Sequence, residues 1–131
     1  MIGLCMGLAG VVWAELPVGD FTLAWQHTIE KIRWEEDYRV MPEGLLLGEA
    51  RIKGSGAGME IPEYAELREG SWHYRRQLSP LQPLRLGRTP EAGDYQLCFN
   101  QDCRSLSHWL GPPQTTRPTL ELWSCELAAH Q

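Results

Sequence analysis

The chain has 131 residues and a formal net charge of −5, from 12 basic and 17 acidic side chains. That length suits one domain, and the acidic balance argues against a general nucleic-acid binder, which needs a basic surface. Acidic side chains concentrate at residues 30–43 and basic ones at 75–88. We interpret these stretches as two solvated strand faces near one another, with an acidic groove for a cation or basic partner as the alternative.

The first fourteen residues, MIGLCMGLAGVVWA, are uncharged and almost entirely apolar. The run is shorter than the roughly 20 apolar residues of a membrane-spanning helix, and it is typical of a secretory signal. We therefore expect residues 1–14 to be a signal peptide or N-terminal anchor, with cleavage before Glu15, and residues 15–131 to form a single β-rich domain. The run lacks the usual basic start, and Trp13 separates the two small positions, which leaves a buried first strand as the alternative.

Alternating apolar and polar side chains predict strands through the next part of the chain. Residues 21–32 and 33–40 alternate with a period of two, either as two strands with a bend or bulge at 31–33 or as one long twisted strand. A turn at residues 42–44 precedes a third strand at 45–53.

The second half of the chain follows the same pattern after a glycine-rich loop. Residues 64–68 are predicted to form one helical turn, 71–77 a strand, 94–99 and 104–109 the arms of a cysteine hairpin, and 120–127 a final strand. Short strands separated by Gly/Pro turns at intervals of roughly 8–12 residues predict an all-β fold. We expect a small antiparallel β-sandwich or barrel with little helix.

Two of the four cysteines flank a short turn-forming segment. A tight hairpin would place Cys98 and Cys103 opposite each other, so we predict a disulfide between them in an oxidising compartment. Zinc binding is the competing interpretation, but no second Cys or His pair has a matching spacing. Cys5 would be lost with the leader. Cys125 is then expected to be a buried thiol, with pairing to either hairpin cysteine as the alternative.

The densest group of polar side chains comprises His27 and Glu30, followed by Glu35 and Glu36. His27 and Glu30 point to opposite faces of a strand, but across a hairpin Glu36 or Asp37 could oppose either of them. Two carboxylates held together could act as acid and base, or ligate a cation with His27. The alternative is a hydrogen-bonded histidine on a half-buried face with solvated glutamates. The sequence has no nucleophilic triad or G-x-S-x-G elbow, so we assign no catalytic residue.

The segment KGSGAGME is the second candidate site. Glycines allow backbone N–H groups to converge on an anion, but the following Pro62 makes a poor helix start and argues against a nucleotide phosphate loop. The segment is either a nest for a small carboxylate or phosphate, or a plain turn that needs positive φ. Its candidate contact residues are Gly54, Ser55, Gly56, Gly58 and Glu60.

Three segments form a combined pattern: FTLAWQHTIEKIRWEEDY at residues 21–38, EARIKGSGAGME at 49–60 and YQLCF at 95–99. In order, a strand ends in His-Thr-Ile-Glu, an acidic stretch follows, and then a glycine-rich segment. This pattern resembles a family of unknown function, DUF1850, over most of residues 21–110. Gln26 stands where Thr is common in that family.

The resemblance implies no established activity. Members of the family are often encoded beside tripartite periplasmic (TRAP) transporters of the TAXI type, which import organic acids. It therefore implies a non-catalytic accessory or binding protein, periplasmic or membrane-anchored facing the periplasm, with no cofactor or metal. Its partners would be the transporter membrane subunit or solute-binding protein, or a small organic acid. On this basis we expect the contact residues to include His27, Glu30, Glu36 and the loop 54–58. The alternative is a small metal-assisted hydrolase or cation-binding enzyme that uses His27 and nearby carboxylates.

Overall fold

Strands dominate the structure. The computed structural model describes residues 1–26, 32–53, 64–75 and 79–127. A 3₁₀ turn and the four-residue helix α1 are the helical elements in these ranges, and neither has the length and hydropathy needed to span a membrane. The elements are β1 (Ile2–Leu8), β2 (Val11–Leu16), β3 (Asp20–Gln26), β4 (Arg33–Met41), β5 (Gly44–Lys53), β6 (Glu66–Arg68), β7 (Ser71–Arg75), β8 (Leu84–Gly87), the 3₁₀ turn (Pro90–Ala92), β9 (Gln96–Phe99), β10 (Asp102–Ser105), α1 (Ser107–Leu110) and β11 (Thr119–Glu126).

Seven strands form one antiparallel sheet in the order β10-β9-β3-β4-β5-β7-β6. At its centre, Trp25 is paired with Trp34 and Phe21 with Tyr38 across β3 and β4, and both pairs of rings stack. Because successive side chains of a strand point to opposite faces, this register puts these aromatic side chains on one face and Glu35 and Asp37 on the other.

The second sheet has four antiparallel strands in the order β2-β1-β11-β8. Its apolar face packs on the apolar face of the larger sheet, and the two sheets enclose the main core. A smaller cluster of Ala50, Ile52 and Tyr74 lies on β5 and β7. The predicted all-β fold with little helix is confirmed, as a sandwich. Core side chains that are at most 1% exposed include Leu4, Met6, Leu23, Leu45, Leu97, Leu120 and Leu122.

The N-terminal segment forms the two strands β1 and β2 of the smaller sheet. β1 pairs with β11 on one side and with β2 on the other, and its Leu4 and Met6 side chains are fully buried. The structure therefore contains the buried first strand, which the sequence analysis gave as the alternative to a leader. Cleavage before Glu15 stays a prediction, and it would remove β1 from the sandwich.

Two disulfides connect neighbouring strands. Cys98 and Cys103 are directly paired in the β9–β10 hairpin with their Cα atoms 4.0 Å apart, which confirms the predicted bond. Cys5 in β1 is bonded to Cys125 in β11, 120 residues away. The expectation of a free Cys125 thiol is wrong, because β1 and β11 lie side by side in a way that sequence spacing does not reveal.

Two local predictions are also wrong. Residues 64–68 contain the edge strand β6 instead of a helical turn, because Glu66–Arg68 pairs with β7. The second arm of the cysteine hairpin ends at Ser105 instead of extending to residue 109. The chain then turns into α1, because the backbone N–H and the hydroxyl of Ser107 both donate to Asp94 Oδ2 and the Leu106 carbonyl accepts the Leu110 N–H.

Candidate functional site

A row of charged side chains crosses the face of the seven-stranded sheet that points away from the core. The register places Glu35 of β4 beside Arg51 of β5, and Arg51 beside His73 of β7. On each strand, the residues before and after Glu35, Arg51 or His73 face the core. Because successive side chains alternate between the two faces of a sheet, these three point outward. Asp37 and Glu49 lie next to this row, and we call these five residues the Arg51 cluster.

The Arg51 guanidinium binds three carboxylates at once. Its Nη1 and Nη2 donate to Oδ2 and Oδ1 of Asp37, both at 2.7 Å, in a bidentate pair. Its Nε donates to Glu35 Oε1 at 3.2 Å, and its Nη1 also donates to Glu49 Oε1 at 3.2 Å. Bidentate charged pairs fix geometry as well as adding energy, so Arg51 holds the three acidic strand positions in one arrangement.

Further donors surround the cluster. Arg33 Nε donates to the second oxygen of Glu35 at 3.1 Å, and Thr22 Oγ1 donates to Asp37 Oδ1 at 2.7 Å. His73 Nδ1 lies 2.9 Å from Glu49 Oε1, and Arg68 Nη2 lies 3.4 Å from Glu49 Oε2. Each carboxylate therefore has at least two polar partners.

These contacts lower the pKa values of the three carboxyl groups. Burial raises the pKa of Glu35, Asp37 and Glu49, but hydrogen bonds from the arginines, His73 and Thr22 outweigh burial, so each pKa lies below its usual value. Hydrogen bonding to Asp37 raises the pKa of Arg51. All four groups are therefore charged near neutral pH. These four groups therefore form an ion-pair network across β4 and β5.

A bulge in β5 opens a cleft beside the cluster. The β4–β5 register shifts so that Gly48 and Glu49 together stand opposite Asp37. The cleft has a volume of ≈ 390 Å³, which is in the range of small-molecule sites. A smaller cleft of ≈ 220 Å³ adjoins it, with Glu49 and Arg75 lining both. The walls of the larger cleft include Asp20, Asp37, Arg39, Gly48, Glu49 and Arg75.

The predicted neighbours Glu35 and Glu36 are separated by the sheet. Glu35 belongs to the Arg51 cluster, whereas Glu36 faces inward, where its Oε1 accepts a hydrogen bond from the Tyr38 hydroxyl at 3.0 Å. Burial and the negative charge of Glu36 raise the pKa of Tyr38. Glu36 is thus held by an un-ionised phenol on the apolar side of the sheet.

The strand register also decides what Glu36 and Asp37 oppose. Glu36 is paired with Leu23, and Asp37 with the residue before Leu23. The prediction that either acidic residue opposes His27 or Glu30 is therefore wrong. The described β3–β4 ladder begins at residues 26 and 33, so both acidic residues lie further along the ladder.

The remaining predicted site residues lie outside the described residues, so the histidine–carboxylate site and the glycine nest stay predictions. Within the described ranges, no group of three or more His, Cys, Asp or Glu side chains is arranged to hold a metal ion. The predicted residues concerned are His27, Glu30, Gly54, Ser55, Gly56, Gly58 and Glu60.

Arg51, at the centre of the site, is not among the residues predicted from the sequence. Arg33, Glu35 and Asp37 occupy every second position of β4, and Glu49 and Arg51 repeat this spacing on β5. Opposite charges at matching positions of neighbouring strands are a signal for cross-strand ion pairs. The spacing alone does not pair them correctly, because the bulge in β5 changes the register by one residue.

The site falls within a segment that is matched by a family model. Residues 21–106, more than half of the chain, match the model described as "Domain of unknown function (DUF1850)". The chain belongs to the DUF1850 family. The DUF1850 segment holds the Arg51 cluster and, apart from Asp20, the named walls of the larger cleft. No curated protein and no solved structure matches the chain.

Proposed function

We propose that this protein is a non-catalytic binding module that works outside the cytoplasm as an accessory of a TRAP-type organic-acid transporter. The Arg51 cluster carries the proposal. It is a fixed pattern of charges on the open face of a sheet, within the family segment, and its carboxylates are paired and have lowered pKa values.

The geometry of the cluster favours recognition over catalysis. Its members lie on three adjacent strands, and strands hold side chains more precisely than loops do. Charges held in place before an encounter give a partner orientation and a faster association rate. Arg33 and Arg68 are basic side chains that bind the cluster from its border, 32% and 55% accessible, so a protein partner on this face could contact both.

Two further observations support the location and the partner. Both disulfides are of a kind that persists in oxidising compartments and is rare in the cytosol. Membership of the DUF1850 family points to the TRAP membrane subunit or its solute-binding protein, because family members are often encoded beside such transporters. The periplasm is the compartment that both observations favour.

The test is a pull-down from native membranes with the tagged full chain. We expect the transporter membrane subunit or the solute-binding protein to copurify, as identified by mass spectrometry. The double variant Arg33→Gln/Arg68→Gln should reduce recovery of the partner at least fivefold. Surface ion pairs contribute about 0–1 kcal/mol each, so this variant should remain folded.

A matched control changes the same number of exposed, paired arginines elsewhere. Arg85 is paired with Glu121 on the smaller sheet, and Arg104 with Asp102 on the edge strand β10. The variant Arg85→Gln/Arg104→Gln has the same net charge as the test variant and should recover the partner normally. Absence of both transporter proteins from the wild-type pull-down would refute the proposal, and equal recovery by the two variants would refute the assigned face.

A further inference from the structure

We propose that the cleft between Arg39 and Arg75 is a binding site for the oxyanion group, carboxylate or phosphate, of a small molecule. This deepens the proposed function, since it rests on a binding role for the same face of the sheet and names the class of ligand. It does not depend on which protein partner the module has.

The acidic walls of the cleft are already neutralised. Both oxygens of Asp37 are bound by Arg51, and Thr22 donates a further hydrogen bond to it. Glu49 contacts Arg51, His73 and Arg68. Glu35, Asp37 and Glu49 carry three negative charges, and the arginines that bind them, Arg33, Arg51 and Arg68, carry three positive ones. The cluster therefore contributes little net charge to the cleft.

The basic walls have less compensation. Arg39 and Arg75 are exposed, and neither guanidinium has a hydrogen bond or an ion pair with another described residue, although the positive charge of Arg75 helps to lower the pKa of Asp37. Asp20 is paired with Arg39 in the strand register without forming an ion pair with it. Two guanidinium groups line the cleft without a hydrogen bond to a described residue, and only the Asp20 carboxylate is set against them, so an excess positive charge remains there. A planar guanidinium offers paired N–H donors that match the oxygens of a carboxylate or phosphate.

The shape of the cleft also suits a small ligand. Gly48 forms part of its wall at the bulge, and the missing side chain leaves the backbone open. A Cβ atom built there would come near only the Asp37 carbonyl oxygen, at 3.7 Å, which is an ordinary contact. A larger side chain at position 48 would therefore reduce the volume of the cleft without disturbing the backbone. Such a variant changes the volume of the cleft and leaves its charge unchanged.

The test is isothermal titration of the purified, disulfide-bonded chain at low ionic strength with succinate, citrate and inorganic phosphate. We expect at least one of these anions to bind. Arg39→Gln and Arg75→Gln should each weaken binding about tenfold or more, since each removes charge-assisted hydrogen bonds. Gly48→Val should weaken it by a similar factor. Arg85→Gln removes an equal charge from the other sheet and should leave the affinity unchanged.

The outcomes separate the ligands and the proposals. Binding of succinate or citrate without phosphate identifies a carboxylate ligand, and the reverse identifies a phosphate ligand. If none of the three anions binds at concentrations up to about 10 mM, which corresponds to a very weak affinity, the proposed site is overturned. Binding that survives both arginine substitutions would also overturn it. If an anion binds but no transporter protein copurifies, the cleft stands and the transporter association fails. If a transporter protein copurifies but no anion binds, only the proposed anion site is refuted.

Discussion

The two disulfides of the sandwich should stabilise it to very different extents. Cys5–Cys125 joins residues 120 apart in sequence, and Cys98–Cys103 joins residues 5 apart. A crosslink lowers the conformational entropy of the unfolded chain by an amount that grows with the logarithm of loop length. This gives about 5 kcal/mol for the longer loop and about 2 kcal/mol for the shorter one at 25 °C. The expected difference is therefore about 3 kcal/mol.

The measurement needs one bond at a time. Cys98→Ala/Cys103→Ala keeps only the long-range bond, and Cys5→Ala/Cys125→Ala keeps only the hairpin bond. Each variant is unfolded in urea, once oxidised and once refolded in reductant, and the free energies of unfolding are compared by linear extrapolation. Because both measurements of a pair use the same amino-acid sequence, the packing lost through alanine cancels.

The two reductions then give the contributions directly. Reducing the variant that retains Cys5–Cys125 should cost about 5 kcal/mol, and reducing the variant that retains Cys98–Cys103 about 2 kcal/mol. Equal losses, or a larger loss from the hairpin bond, would refute the assignment of the stabilisation to loop length. A thiol count of two in the oxidised Cys98→Ala/Cys103→Ala protein would refute the Cys5–Cys125 bond itself.

Two further predictions concern single residues. Asp94→Asn should lower the free energy of unfolding by about 3 kcal/mol, because Arg88, 7% exposed, would lose its carboxylate partner. Burial raises the pKa of Asp94, but hydrogen bonds from Arg88 and two serines outweigh it and hold the pKa well below its usual value. The stabilisation by the Asp94 carboxylate is therefore complete above the pKa of about 4 that this group has in the unfolded chain. It is lost as the pH falls through the lower pKa of the folded state. The difference between wild type and variant in urea unfolding should shrink below about pH 4, and a constant difference down to pH 2 would contradict this. Gly7→Ala should cost about 1–3 kcal/mol, because its Cβ would lie 1.8 Å from the Val11 carbonyl oxygen. Gly87→Ala, with nothing within 4 Å, should shift the thermal midpoint little.

Strands with one buried face were predictable from the sequence. The predicted strands at 33–40, 45–53 and 120–127 correspond closely to β4, β5 and β11. In β5 the side chains alternate between buried and more exposed positions over much of the strand, so the residue types show the period of two. The Cys98–Cys103 hairpin was predictable for a similar reason, since both its strands and its turn are local.

The first strand was not predictable in the same way. Five consecutive residues of β1, Gly3–Gly7, are buried, so no polar side chain marks an outward face. An uncharged apolar run of this length has the same composition as the core of a secretory signal. The Cys5–Cys125 bond was not predictable either, because it depends on which strands are neighbours in the sheet. The packing of the whole core determines these neighbours.

The candidate site was predictable in composition and not in geometry. The sequence places acidic and basic stretches on strands that lie close together, and Asp37 and Arg75 do line one cleft. Arg51 belongs to neither the acidic stretch at 30–43 nor the basic stretch at 75–88, yet it binds three carboxylates. Its partners follow from the bulge at Gly48 and Glu49, a departure of one residue that alternation does not predict.

The two layers of the sandwich differ in their relation to the family segment. All seven strands of the larger sheet lie between residues 20 and 105, so the matched residues 21–106 supply nearly the whole layer that bears the site. β1, β2 and β11 fall outside that segment and, with β8, form the smaller sheet. A sheet with one apolar face must bury it against a second layer, and here Leu4, Met6 and Leu122 do so. The smaller sheet therefore stabilises the fold from the core side, while the Arg51 cluster and its cleft lie on the opposite face. Changes in β1 or β11 should act on stability, and changes in β4, β5 or β7 that spare the core should act on binding.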